Sequence, residues 1–76
     1  MNVKVFPNPS TGILYIQASV TVDVKLTTID GRLLIDQKNA NQLDMNYYAN
    51  GIYFISVYDS NSGNLIKTDR IVKTGN

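Results

Sequence analysis

An antiparallel β-sandwich is the fold class this sequence predicts, and three observations predict it. Apolar and polar residues alternate with period two in "ILYIQA", "VTVDVKL", "YFISVY" and "LIKTDRIVK", each segment bounded by Gly, Asp, Asn or Ser. Valine, isoleucine, threonine, asparagine and serine are plentiful while helix formers are scarce, and all six acidic residues are aspartate, the composition of strands joined by polar turns. Turn signals recur so densely that no segment is long enough for the crossover that parallel strands need, so the pairing is antiparallel.

Seven short strands follow, near residues 3–6, 13–18, 21–29, 32–38, 41–46, 51–59 and 64–73. The first, "NVKVF", runs into "FPNPSTG", where neither Pro7 nor Pro9 has a backbone N–H to give a ladder. Asn8-Pro9-Ser10-Thr11 suits a type I turn with Pro9 as its second residue, and Gly12 is expected at positive φ. This corner is expected to lift the first strand off its neighbour to the edge of the opposite sheet, as in immunoglobulin-like sandwiches.

Between the third and fourth strands, "IDGR" allows two loops. A two-residue loop at Asp30-Gly31 sets Lys25 opposite Asp36, Asp23 opposite Lys38 and Leu26 opposite Ile35. A three-residue loop with Gly31 in a bulge sets Leu26 opposite Leu34 and Val24 opposite Asp36. Charge pairing favours the first by well under ~1 kcal/mol. Asn50-Gly51 opens "NGIYFISVYD", whose two apolar sets, Tyr53, Ile55 and Val57 against Ile52, Phe54 and Tyr58, predict a central strand covered on both faces. The last strand, with Lys67, Asp69 and Lys73 on one side, suits a charged edge that discourages aggregation.

The 76 residues make one domain, 1–76, with no repeat, linker or low-complexity tract. A domain this small buries only about 60% of its unfolded surface. Without cysteine there is no disulfide framework or thiol nucleophile, and without histidine the commonest acid-base side chain and metal ligand is missing. A net charge of +1 with scattered cations offers little to nucleic acid. No apolar run approaches the roughly 18 residues that span a membrane, and the N-terminus has no signal-peptide core. Either the protein stays in the cytosol or the chain is part of something longer whose export signal lies elsewhere; Met1 does not decide between them.

Candidate chemistry is sparse. "DSNSGN" sets Asp59, Asn61 and Gly63 in the alternation of a calcium loop, but the glycine falls one place early and no bidentate carboxylate follows, so an ordinary hairpin loop is expected. Serine and aspartate lack a base or a second, differently placed carboxyl group, and no enzyme, catalytic residue, metal or cofactor is expected. Tyr47, Tyr48, Tyr53 and Tyr58 fit a stacking platform less well than core positions, with Tyr47 and Tyr48 the most exposed.

Several motifs in order carry a resemblance. "VFPNPSTG", "VKLTTIDGRLL", "LDMNYYANGIYFISV" and "RIVK" resemble the opening Pro-Asn-Pro, the Gly-Arg/Lys turn between two strands, the Gly-x-Tyr strand and the terminal basic-aliphatic-aliphatic-Lys of the type A C-terminal sorting domain of the type IX secretion system of Bacteroidetes bacteria. The resemblance covers essentially the whole chain. Thr27-Thr28 stands where that family usually has Tyr-Asp, Tyr48-Ala49 where Leu-Pro is common, and Arg70 where lysine is more usual.

The resemblance implies a folded export and surface-sorting signal, recognised by the outer-membrane translocon once an N-terminal cargo has reached the periplasm. A sortase-like protease then cuts at or before Met1, and the cargo ends secreted or at the cell surface. Carried over by position, Arg70, Ile71, Val72, Lys73, Gly31 and Arg32 are the implied translocon-recognition residues, the terminal strand being an edge a partner strand can extend. Pro7, Asn8, Pro9, Gly12, Asp30, Gly51 and Tyr53 are the turn residues that hold the fold. The rival reading is an adhesive or carbohydrate-binding module contacting its ligand through Tyr47, Tyr48 and "DSNSGN"; a structural spacer is a third.

Overall fold

The computed structural model describes residues 2–75, and the cleavage point expected at or before Met1 lies outside them. It contains β1 (Val3–Phe6), β2 (Ile13–Ala18), β3 (Val22–Thr28), β4 (Leu33–Gln37), β5 (Gln42–Asp44), β6 (Gly51–Asp59) and β7 (Leu65–Lys73). Two antiparallel sheets, ordered β1-β2-β5 and β4-β3-β6-β7, face each other as a sandwich. The alternation read from the sequence decides what lies between them. Val3, Leu14, Ile16 and Leu43 come from one sheet, Val22, Val24, Leu26, Tyr53, Ile55, Val57 and Ile71 from the other, and Ala40 and Met45 from the connections. Each fully buried Leu, Ile or Val contributes on the order of 1.5–3 kcal/mol relative to exposure.

Five local expectations are corrected, three of them at the corner. The first strand does not leave its neighbour: β1 pairs with β2 from Val3↔Ala18 to Phe6↔Tyr15. The corner is what reaches the other sheet, through a parallel bridge between Ser10 and Lys73. No backbone bond closes Asn8–Thr11 as a type I turn, because Ser10 donates to the Val72 carbonyl (2.8 Å) and accepts from the Thr74 amide (2.9 Å) instead. Gly12 is not among the glycines at positive φ. Its lack of a side chain serves space, since a Cβ there would run into Oδ1 of Asn46.

The β3–β4 hairpin combines both loops that the sequence allowed. At its tip the Thr28 amide donates to the Arg32 carbonyl and the Gly31 amide to the Thr28 carbonyl, closing a three-residue loop with Gly31 at φ 90°. Thr27 therefore faces Leu33, but a bulge then absorbs Leu34 and restores Leu26↔Ile35 and Lys25↔Asp36. The charge-paired register wins in the body of the hairpin, and Lys38 reaches Asp23 at 3.6 Å.

β6 is central as expected, between β3 and β7, but only one of its faces is covered. Tyr53, Ile55 and Val57 are buried, whereas Ile52 is 43% exposed and Phe54 and Tyr58 are half-buried. β7 is an edge, yet its charges do not form a solvent face. Asp69, Lys67 and Lys73 pair with Ile55, Val57 and Gly51, so they share the inward side of the sheet. Lys67 bonds Asp69 (2.9 Å) and the Val3 carbonyl of β1 (3.1 Å), closing the flank between the sheets, and Lys73 is 97% buried in terms of its 3% exposure.

Candidate functional site

The corner and the end of β7 form one constructed unit. An edge strand leaves alternate N–H and C=O groups unpaired, and on β7 the outward groups from the Arg70 carbonyl to the Thr74 amide are already taken. Nδ2 of Asn8 donates to the Arg70 carbonyl (2.8 Å), and Oδ1 of the same amide accepts from the Val72 amide (3.1 Å). An asparagine side chain has the donor and acceptor of a peptide group, so Asn8 pairs as a strand residue would while the flanking prolines contribute no N–H. Ser10 continues the pairing with its main chain, and its buried hydroxyl donates to the Ile13 carbonyl (3.1 Å) and accepts from the Gly12 amide (3.2 Å). The peptide bonds before Pro7 and Pro9 are both cis.

This arrangement separates the residues that the terminal motif grouped together. Ile71 is wholly buried in the core. Lys73 is buried on the inward side, its ammonium donating to Oδ1 of Asn50 (3.3 Å), while Nδ2 of Asn50 donates to the Gly75 carbonyl. Arg70 is exposed and Val72 half-buried on the outer face. A strand added by a partner along Arg70–Lys73 would find the outward main chain occupied, so the edge offers no free ladder there.

Gly31 and Arg32 sit at the hairpin tip, at the same end of the four-stranded sheet as the β7 terminus but across β6 from it. The Thr28 hydroxyl donates to Oδ1 of Asp30 and accepts from the Arg32 amide (3.0 Å). That hydroxyl first, then the amide of Asp30 and the Arg32 guanidinium, hold the Asp30 carboxyl below its ordinary range. Gly51, at φ 151°, starts β6, and the Tyr53 phenol donates back to the Ala49 carbonyl (2.5 Å) under a tilted Tyr48 ring 6.3 Å away. Such a bond from a strand tyrosine to the backbone just upstream is a fold-holding device of immunoglobulin-like domains.

The surface of the rival reading does not assemble. Tyr47 is 92% exposed before β6, but Tyr48 packs against the core and its phenol donates to the Leu34 carbonyl (3.4 Å). The "DSNSGN" loop lies at the far end of β6, and nine strand residues at about 3.3 Å each put it roughly 30 Å from Tyr47. There the Asp59 carboxylate accepts from the Asn61 amide (2.8 Å), as a turn-capping aspartate does.

At that same end Asp23 ties three segments. Its carboxylate accepts from the Ser60 hydroxyl (2.6 Å) and the Asn39 amide (3.0 Å) and faces Lys38; the Ser60 and Asn39 bonds are the main reason its pKa falls below the ordinary value, with Lys38 adding to them. Ser10, Asn50 and Asp23 thus organise the molecule; of their contacts only the pairing of Asp23 with Lys38 was expected from the sequence. Their signal, short polar side chains beside turns, is common to most loops.

Among known proteins, the family model described as a secretion system C-terminal sorting domain matches residues 4–74, nearly the whole chain. No curated protein and no solved structure matches.

Proposed function

Because the chain belongs to the secretion system C-terminal sorting domain family of the type IX system, we propose that it is read by the outer-membrane translocon from the periplasmic side and afterwards removed from its cargo by a sortase-like protease. The match over residues 4–74 carries this reading. A sorting signal of this family serves an N-terminal cargo, whose destination is export to the medium or the cell surface. The fold supports recognition of a finished structure, since the motif residues are scattered over the corner, the hairpin tip and β7 and come into fixed relation only after folding. Arg70, Val72, Gly31 and Arg32 are the motif residues available for contact. Ile71 and Lys73 act from inside by holding β7 in place.

Cleavage is tested by fusing the 76 residues to a periplasm-directed reporter in a bacterium with the type IX system and weighing the exported reporter by mass spectrometry. Loss of the whole domain is expected; an exported reporter that still carries it would remove the protease from the account and leave the sorting role standing.

A further inference from the structure

We infer that the outer face of the four-stranded sheet, at the end nearest the β3–β4 hairpin, is a docking surface for a protein partner whose contact patch is aliphatic and carries a carboxylate opposite Arg70. This rests on the sorting-signal reading and specifies where and with what chemistry the partner meets the domain.

The register builds the surface row by row. Leu33, Thr27, Phe54 and Arg70 are cross-strand neighbours on four successive strands, and Ile52 and Val72 form the adjoining pair. At a strand spacing of about 4.8 Å the first row is roughly 14 Å long. Ile52, 43% exposed, adjoins half-buried Phe54 and Val72, so three large apolar side chains are contiguous, and Leu33, 50% exposed, stands across Thr27 from Phe54. The next row of the same face, Asp36, Lys25, Ser56 and Thr68, is polar. The solvated face of an antiparallel sheet ordinarily keeps such polar residues throughout, and a contiguous apolar patch with a polar border marks an interaction site.

Charge selects the occupant. Arg70 is exposed at the end of the apolar row, and among the described residues it has no salt bridge; the two ion pairs present are Lys38–Asp23 and Lys67–Asp69. No carboxylate lies in the Leu33–Arg70 or Ile52–Val72 row. A second copy of the chain docked by the same patch would bring no carboxylate to Arg70, since neither row contains one. An anionic membrane would be held by a single cation, where surface binding takes a cluster of four to eight. An arginine beside an aromatic ring on an apolar field is instead the composition of a protein-interface centre.

The test places a photo-crosslinking phenylalanine analogue at position 33 or 52, and as a control at Gln17 on the other sheet, in the reporter fusion expressed in a type IX-competent bacterium. Parallel fusions carry Ile52→Asp, Arg70→Glu or, in the polar row, Thr68→Asp, each checked for folding by thermal unfolding of the purified chain. Adducts from 33 and 52, but not 17, with an outer-membrane component of the type IX machinery are expected. Export should fall about tenfold or more for Ile52→Asp and Arg70→Glu and stay unchanged for Thr68→Asp. Adducts only from position 17, or wild-type export by folded Ile52→Asp and Arg70→Glu fusions, would overturn the surface while leaving the sorting role intact. So would Arg70-dependent flotation of the purified chain with phosphatidylglycerol vesicles in the absence of a protein adduct. Failure of the wild-type fusion to be exported would overturn both readings.

Discussion

Replacing Asn8 by alanine isolates the clamp that joins the corner to β7. The substitution removes two hydrogen bonds, to the Arg70 carbonyl and from the Val72 amide, both at the solvent-exposed edge. A net bond contributes about 0.5–1.5 kcal/mol, and water can take over partners at an exposed edge, so the two together are expected to contribute about 1.5 kcal/mol. Unfolding a chain of 76 residues carries an entropy of about 2.1 cal/mol/K per residue, or roughly 160 cal/mol/K, so the melting temperature should drop by about 9 °C. Asn8→Asp should be at least as damaging, because it keeps an acceptor for the Val72 amide but turns a carboxylate oxygen toward the Arg70 carbonyl. Circular dichroism melts supply the magnitude, and amide hydrogen exchange locates it: the Val72 amide should exchange faster, while amides of β3 should change only with global stability. A melt of Asn8→Ala within 2 °C of wild type, with Val72 exchange unaltered, would refute the clamp.

Gly12→Ala should destabilise by crowding Asn46, and because the clash is with a side-chain tip, adding Asn46→Ala should relieve most of it in urea titrations. Asn50→Ala removes the one side chain that, among the described residues, the buried Lys73 ammonium bonds, and should lower stability by about 1–3 kcal/mol. Ile71→Ala opens a cavity at a wholly buried site and should cost about 2–5 kcal/mol by denaturant unfolding. Asp23 and Asp30 have folded pKa values below the ordinary 3.8, so their contribution is fully present above that value and is lost as pH falls through the lower folded values. Urea midpoints from pH 7 to pH 2 should therefore decline at the acid end, and Asp23→Asn should flatten that decline.

The strands were legible because alternation reports which residues face the core, four segments alternate, and turn residues bound the rest. Partners are another matter. The pattern in "NVKVF" is satisfied equally beside β2 or across the sandwich, and the bonds that settle the corner join residues more than 60 positions apart. Lys73 shows the opposite failure. Its phase with Ile71 pointed inward, while its charge suggested solvent, and packing followed the phase. The hairpin satisfied its charge pairing and its glycine turn at once by inserting a bulge at Leu34, an option that register counting over an unbroken ladder leaves out. Of the motif residues, Gly31, Gly51 and Tyr53 were readable as turn and strand-start devices. The apolar patch was half visible, since the second apolar set of β6 was plain but its exposure depends on the absence of a third layer over the sheet.

The central claim is that these 76 residues direct export. The most direct measurement compares medium and surface fluorescence of a periplasm-directed fluorescent protein carrying the domain at its C-terminus, in a strain with the type IX translocon and in an otherwise identical strain without it. The account predicts fluorescence outside the cell or on its surface only when the translocon is present. Retention of a folded fusion in the periplasm of both strains would contradict it.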